Sequence, residues 1–398
     1  MKSQAHKKFA GFTLTELMIA MLVTLILLYA AVTAFRDASQ SNNVVSQASD
    51  MTDNLRSGLN LIQQDLQQAG SGIPTGGIPI PYTSNNSSTA PCGTTAAPNR
   101  PILNGVTTFP QCNATLPAVE PGQAMGPLIT APDAVAGNPS NPNSYTDEIT
   151  VLYADNLQMD AKPINEQPTI NPSNPGCPNG SLTLSGTTLT AVFDGTTLNS
   201  KGGYNCVNFS KNGININPGD LIMFSNNKGQ ALLAVTTVSN QTLTFAPGDA
   251  FNLNGRSDTG GTIAQLMTSP TCGGGNACFP NTMAQRIWMV SYYLDNVTSP
   301  PFVRLIRQVG IGLNTPTPVG ETLENLQFSY DFVDGVTNPS NQPSVPNGNS
   351  ESQIRMINVY LGARSSYQVA KGNRSLFERG NLMTQVSLRS MAYRNRYQ

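Results

Sequence analysis

Between Phe12 and Phe35 the chain runs through 24 positions that are almost uniformly apolar, with one carboxylate, Glu16, near the start. A run with no polar face predicts a helix that spans about 36 Å, longer than a hydrocarbon core of about 30 Å. From Ser39 to Ala69 the pattern changes character. Val44, Ala48, Met51, Leu55, Leu59, Ile62, Leu66 and Ala69 recur at spacings of three and four, and Gln47, Asp50, Asp53, Gln63, Asp65 and Gln68 fill the other positions. That spacing predicts an amphipathic helix with one stripe for packing on a globular head. Gly70, Gly72 and Pro74 supply the stop. No proline interrupts Phe12 to Ile73, so the two stretches are expected to form one helix about 87 Å long. Gly58 is the position where it could soften.

Beyond the helix the period shortens. Residues 70–147 are dense in Gly, Pro, Asn and Ser and predict long loops, tied down by Cys92 and Cys112 rather than by a core. Strand patterns begin at 147–155 and return at 181–193, 220–238 and 242–246. Within 220–238, Asn226-Asn227-Lys228-Gly229 predicts a hairpin turn. Residues 286–295 and 302–309 flank another turn. In 324–332, Leu326, Phe328, Tyr330 and Phe332 alternate with Gln327, Ser329 and Asp331. Residues 354–364 and 382–397 complete an antiparallel sheet, and 334–350 is a low-complexity loop.

Composition narrows the class. Charged residues are 11% and net charge is −1, against about a quarter charged in ordinary globular chains. No basic cluster recommends nucleic acid as a partner. Basic residues do gather in the last 35 positions (Arg364, Lys371, Arg374, Arg379, Arg389, Arg394 and Arg396), where alternation suggests a solvated sheet face or a partner surface. The 35 Gly and 29 Pro, with abundant Asn, Ser and Thr, suit a β-rich extracytoplasmic protein. Six cysteines and no CxxC pair allow up to three disulfides, in any of 15 connectivities.

Lys2, Lys7 and Lys8 precede the apolar run, and Arg36 is the first basic residue after it. The positive-inside bias keeps the leader in the cytoplasm and sends the rest across the membrane. Glu16 is the anomaly, because a charge mid-membrane costs about 2.5–3.5 kcal/mol even on lenient scales. A secretory signal peptide cut near Val32–Ala34 gives Glu16 no role, and neither does a plain single-pass anchor.

A third reading does. Gly11-Phe12-Thr13-Leu14-Thr15-Glu16-Leu17-Met18-Ile19 resembles the class III leader of type IV pilin-like proteins, with a small residue before the cut, an aromatic first residue and a glutamate fifth. The resemblance implies cleavage between Gly11 and Phe12 by prepilin peptidase, N-methylation of Phe12, and a register role in assembly for Glu16. The carboxylate would answer the Phe12 amine of a neighbouring subunit. Each charge alone is costly in lipid, and the pair is less so.

The order of the later segments, from 288–295 through 304–309, 324–332 and 354–365 to 385–396, resembles PilW-type minor pilins, and 218–225 fits that pattern. What the family implies is an α+β, type IV pilin-like fold with the helix packed on an antiparallel β-sheet head carrying long loops. The expected division is a leader at 1–11, a transmembrane and filament-core helix at 12–35, its amphipathic continuation at 36–69, a loop region at 70–147 and a β-rich head at 148–398. The implied function is priming of type IV pilus growth in a tip complex. Implied partners are other minor pilins, the major pilin and a large tip adhesin. The implied location is the inner membrane with a periplasmic head, then the pilus tip. The head is larger than that of major subunits, which favours a low-copy position. A large pseudopilin of a type II secretion system, or a membrane-anchored adhesin, are the alternatives.

Catalytic chemistry has little to work with. His6 is the one histidine and sits in the leader, so the processed chain would lack the base of Ser-His-Asp and Cys-His sites and histidine for zinc. No cofactor is expected. Disulfides Cys92–Cys112, Cys177–Cys206 and Cys272–Cys278 are the suggested pairing, and a local bridge at 272–278 is preferred to a thiol metal site. Asp155 with Asp160, or Asp331 with Asp334, raise a calcium question, but neither matches EF-hand spacing, and solvated turns are the better account.

Overall fold

The computed structural model describes residues 13–81, 115–123, 146–155, 180–193, 196–198, 204–206, 208–209, 215–249, 253–256, 260–270, 277, 279–295, 303–310, 316–333, 335, 337–338, 350–366, 369–371 and 374–388. The expected helix is one continuous element, α1, Leu14–Gln68. At 55 residues it is about 82 Å long. Its two halves differ as the side-chain pattern requires. The first half has no buried residue, and burial begins at Met51 and follows Leu55, Leu59, Ile62 and Leu66. Gly58 does not soften the helix. It lies buried against the head, where a Cβ would come within 2.8 Å of Leu305 Cδ2. The chain leaves the helix by hydrogen-bonding to a strand of the head: Gly70 N–H donates to Leu152 O, and Ala154 N–H to Ser71 O.

Among the described residues the strands fall into three antiparallel sheets of four or more strands, rather than one, and three two-stranded ladders. The largest has seven strands built around Met283–Asp295. That strand is long enough to pair with Leu221–Asn226 along its first half and with both Asp147–Ala154 and Arg304–Val309 along its second. Gly229–Ala234, Thr317–Glu321 and Val119–Gln123 extend it. The last of these lies inside the stretch expected to be loop. A second sheet has the order Thr337–Asn338, Leu323–Phe332, Ile354–Arg364, Arg379–Ser387. The predicted apolar face holds there, with Leu326, Phe328, Tyr330 and Phe332 all buried, although Gln327 on the polar face is buried too. A third sheet joins Ser181–Ser185, Thr188–Val192, Thr242–Phe245 and Thr237–Ser239.

Two cores result. The first joins the helix stripe to the first two sheets, and the second lies between the third sheet and the back of the large one. The Leu221–Ala234 hairpin is the wall between them. It turns at Asn227-Lys228, with Gly229 opposite Asn226 as the sequence predicts. Because successive side chains in a strand point to opposite faces, Leu221, Met223, Leu232 and Ala234 enter the first core. Ile222, Phe224, Ala231 and Leu233 enter the second.

Candidate functional site

The helix starts on a capping box. Thr13 is extended and forms the N-cap. Its hydroxyl donates to Glu16 Oε2 at 2.8 Å and accepts from Glu16 N–H at 3.4 Å, while Thr13 N–H donates to the same carboxylate at 3.0 Å. Thr-x-x-Glu satisfies donors that have no partner within the helix, and a carboxylate there also complements the positive end of the macrodipole. Glu16 therefore has a second job that the periodicity reading overlooked, although the four-residue signature was there to find. Gly11 and Phe12, the pair expected to flank the cut, lie outside the described residues.

Between Leu17 and Phe35 the helix leaves little polar surface. Thr24 donates its hydroxyl to Ala20 O, and Thr33 to Tyr29 O and Ala30 O, so these groups are met within the helix itself. Backbone and hydroxyl donors satisfied internally are what an apolar medium demands. Leu14–Gln68 is long and apolar enough to cross a membrane, and none of its most apolar window is covered by the head.

The covered half is seated closely. Gly380 faces the helix so tightly that a Cβ would meet Met51 Cε at 2.8 Å. Deeper in, Asp65 is only 5% exposed. This corrects the sequence reading, which placed it among the polar positions of the solvated side. Arg307 donates from Nε to Asp65 Oδ2 at 2.8 Å and from its terminal nitrogen to Oδ1 at 3.2 Å. Tyr153 and Tyr292 donate their hydroxyls to the same carboxylate, Tyr153 at 3.0 Å. Burial foremost, and then the neighbouring Asp65 carboxylate, holds both phenols well above their ordinary range, so they stay protonated donors. One helix residue thus gathers a cation and two hydroxyls from three strands of the large sheet.

A second buried carboxylate joins the first two sheets. Asp147, 2% exposed, accepts from Phe328 N–H at 2.8 Å, and its Oδ1 has no hydrogen-bond partner. Burial pushes its carboxyl up to about 8 from an ordinary 3.8, against the opposing effect of the Phe328 bond. In the unfolded chain the group ionises near the ordinary value, so between these two pH values the folded protein holds the extra proton. Stability should therefore fall as pH rises through that window, at up to about 1.4 kcal/mol per pH unit. In Asp147→Asn, which keeps an acceptor for Phe328, denaturant melts from pH 4 to 9 should lose this slope. The variant should also be the more stable protein at pH 9.

The remaining candidate residues are not brought to one place. Asp155, expected in a solvated turn, is largely buried, and its carboxylate lies 3.1 Å from Arg286 Nε. Arg286 stacks on Trp288 at 4.0 Å. Asp331 accepts from Asn358 and Gln385. Asp160 and Asp334 lie outside the described residues. So do Cys92, Cys112, Cys177, Cys272 and Cys278, while Cys206 ends the short strand Tyr204–Cys206. Among the described residues no group of three or more His, Cys, Asp or Glu is placed to hold a metal ion.

Residues 6–32 match the family described as Prokaryotic N-terminal methylation motif. No curated protein and no solved structure matches the chain. The motif covers the stretch that contains Gly11, Phe12, the Thr13–Glu16 cap and the beginning of the bare part of α1. An N-terminal helix of this kind on antiparallel sheets is consistent with a pilin-like α+β fold, and the motif supports a type IV pilin-like or pseudopilin-type protein.

Proposed function

We propose that this chain is a minor pilin of PilW type that helps to start type IV pilus growth. The observation that carries the reading is the bare apolar half of α1, with Glu16 near its start inside a matched methylation motif, joined without a break to a large head. Cleavage at Gly11 leaves the Phe12 amine next to the helix start. In the free subunit Glu16 is occupied by its own Thr13. On entry into a filament the carboxylate turns to the Phe12 amine of a neighbour, and the pairing sets the axial register. Helix packing then supplies the apolar contact. Prepilin peptidase, other minor pilins, the major pilin and a tip adhesin are the partners in this reading. The subunit waits in the inner membrane with its head in the periplasm and ends at the pilus tip. The three proposed disulfides would fasten loops of that head.

A large pseudopilin would share the leader and helix, and deletion of the gene separates the two readings. A minor pilin predicts loss of surface filaments in electron micrographs, with secretion of enzymes through the type II system intact. Normal pili with lost secretion would sink the pilus reading. Gold-labelled antibody should mark filament ends and not shafts.

A further inference from the structure

Arg379–Ser387 forms one margin of the second sheet, paired to its neighbour through nine consecutive positions without a bulge. Ser365 N–H donates to Glu378 O and Leu388 N–H to Arg355 O. Because hydrogen-bonded and non-hydrogen-bonded pairs alternate in an antiparallel ladder, these two bonds set its phase. Gly380, Leu382, Thr384 and Val386 bond inward. Asn381, Met383 and Gln385 direct their N–H and C=O groups to the open side, where no strand pairs with them among the described residues.

The other margins around the helix are guarded in the ways natural sheets use against edge pairing. Val119–Gln123 contains Pro121. Thr317–Glu321 contains Pro318 and a register shift on its neighbour. Thr337–Asn338 is two residues long. Gly229–Ala234 is flanked by the short helix Ile263–Leu266. Arg379–Ser387 has no proline, no lysine and no bulge.

We infer that this edge accepts an extended segment of a neighbouring pilin-like subunit as a fifth strand. A row of alternating backbone donors and acceptors recognises an extended polypeptide. On the inner face Leu382 and Thr384 are only half-buried, so an incoming apolar side chain would complete their cover. On the outer face Met383 is 72% exposed between Asn381 and Gln385, which suits polar side chains in the guest. The edge also begins where the covered part of the helix begins, since Gly380 abuts Met51. A subunit packed along the bare helix therefore stands beside it. This inference rests on the assembly role proposed above.

The test is residue-resolved amide exchange on the full-length chain in detergent, alone and co-purified with the pilin-like subunits of its own gene cluster. Met383 and Gln385 amides should exchange rapidly alone and about tenfold or more slowly in the complex, while Leu382 and Thr384 stay protected in both. Met383→Pro removes one outward N–H and leaves the inner ladder intact, as edge strands tolerate. It should abolish the complex without moving the thermal melt. If the proline variant does not fold, Met383→Lys with Gln385→Lys supplies the charge with which natural sheets commonly block edge pairing. Rapid exchange of Met383 in the complex, or a complex that survives in a folded edge variant, overturns the inference. Protection in the chain alone, with a dimer by sedimentation, assigns the edge to a second copy and overturns it too. The gene-deletion phenotype is read separately, so the failure of one proposal is distinct from the failure of the other.

Discussion

Asp65→Ala is expected to lower the stability of the head by about 3–5 kcal/mol, the usual cost of removing one partner from a buried ion pair. The carboxylate is the main acceptor in the cluster: Arg307 and the hydroxyls of Tyr153 and Tyr292 all donate to it, and Arg307 Nε has a second acceptor in the Tyr292 hydroxyl at 3.2 Å. Its removal leaves two phenols without their acceptor, and a part-buried guanidinium with no counter-charge and only the Tyr292 hydroxyl to receive its proton. Arg307→Ala should cost a similar amount, because it leaves the Asp65 charge buried. Tyr153→Phe should cost only about 1 kcal/mol, since the acceptor keeps its other donors. The double variant Asp65→Leu with Arg307→Met should recover most of the loss, as apolar replacements of whole buried pairs generally do. Chemical denaturation of the full chain in detergent measures all four. A double variant no better than the singles would show that the cluster is not held together mainly by charge pairing. The functional consequence follows from position. Asp65 is in the last turn of α1, so breaking the cluster frees the end of the helix from the strands that bear the head.

Glu16→Ala is expected to abolish entry into the filament while leaving leader cleavage and membrane insertion intact. The substitution removes a charge that is costly in lipid, so insertion itself should not suffer. It also removes the N3 member of the capping box, worth about 1 kcal/mol at the helix start. Glu16→Gln separates these effects, because a glutamine completes a capping box but has no charge with which to answer an amine. Both variants failing to assemble, with the processed protein still in the membrane, would assign the role to charge. Full assembly with Glu16→Ala would leave α1 as an anchor and favour the adhesin alternative. Counting filaments by electron microscopy, with mass spectrometry of the Phe12 terminus, decides the matter.

Much of this was legible along the chain. Spacings of three and four in Met51, Leu55, Leu59, Ile62 and Leu66 report side-chain direction on a helix, and burial follows them residue by residue. Alternation in 324–332 reports direction on a strand in the same way. The capping box of Thr13 and Glu16 is a purely local signature, and so is the methylation motif. Periodicity states which way a side chain points, but not what stands opposite. Asp65 therefore reads as one more polar position, because the arginine that pairs with it lies 242 residues away. Gly58 reads as a weak point for the same reason, since the leucine it makes room for is on a distant strand.

The division of most strands among three larger sheets was likewise beyond local reading. Antiparallel neighbours are chosen by long-range pairing, and Met283–Asp295 takes three partners along its length. What the order of residues settled was the helix, its apolar and amphipathic halves, and the methylation motif at its start, because those depend on neighbours within one or two turns. The seat of the helix, the burial of Asp65 and Asp147, and the one unguarded edge among those around the helix came from folding. Each depends on segments far apart in the chain meeting in a shared core.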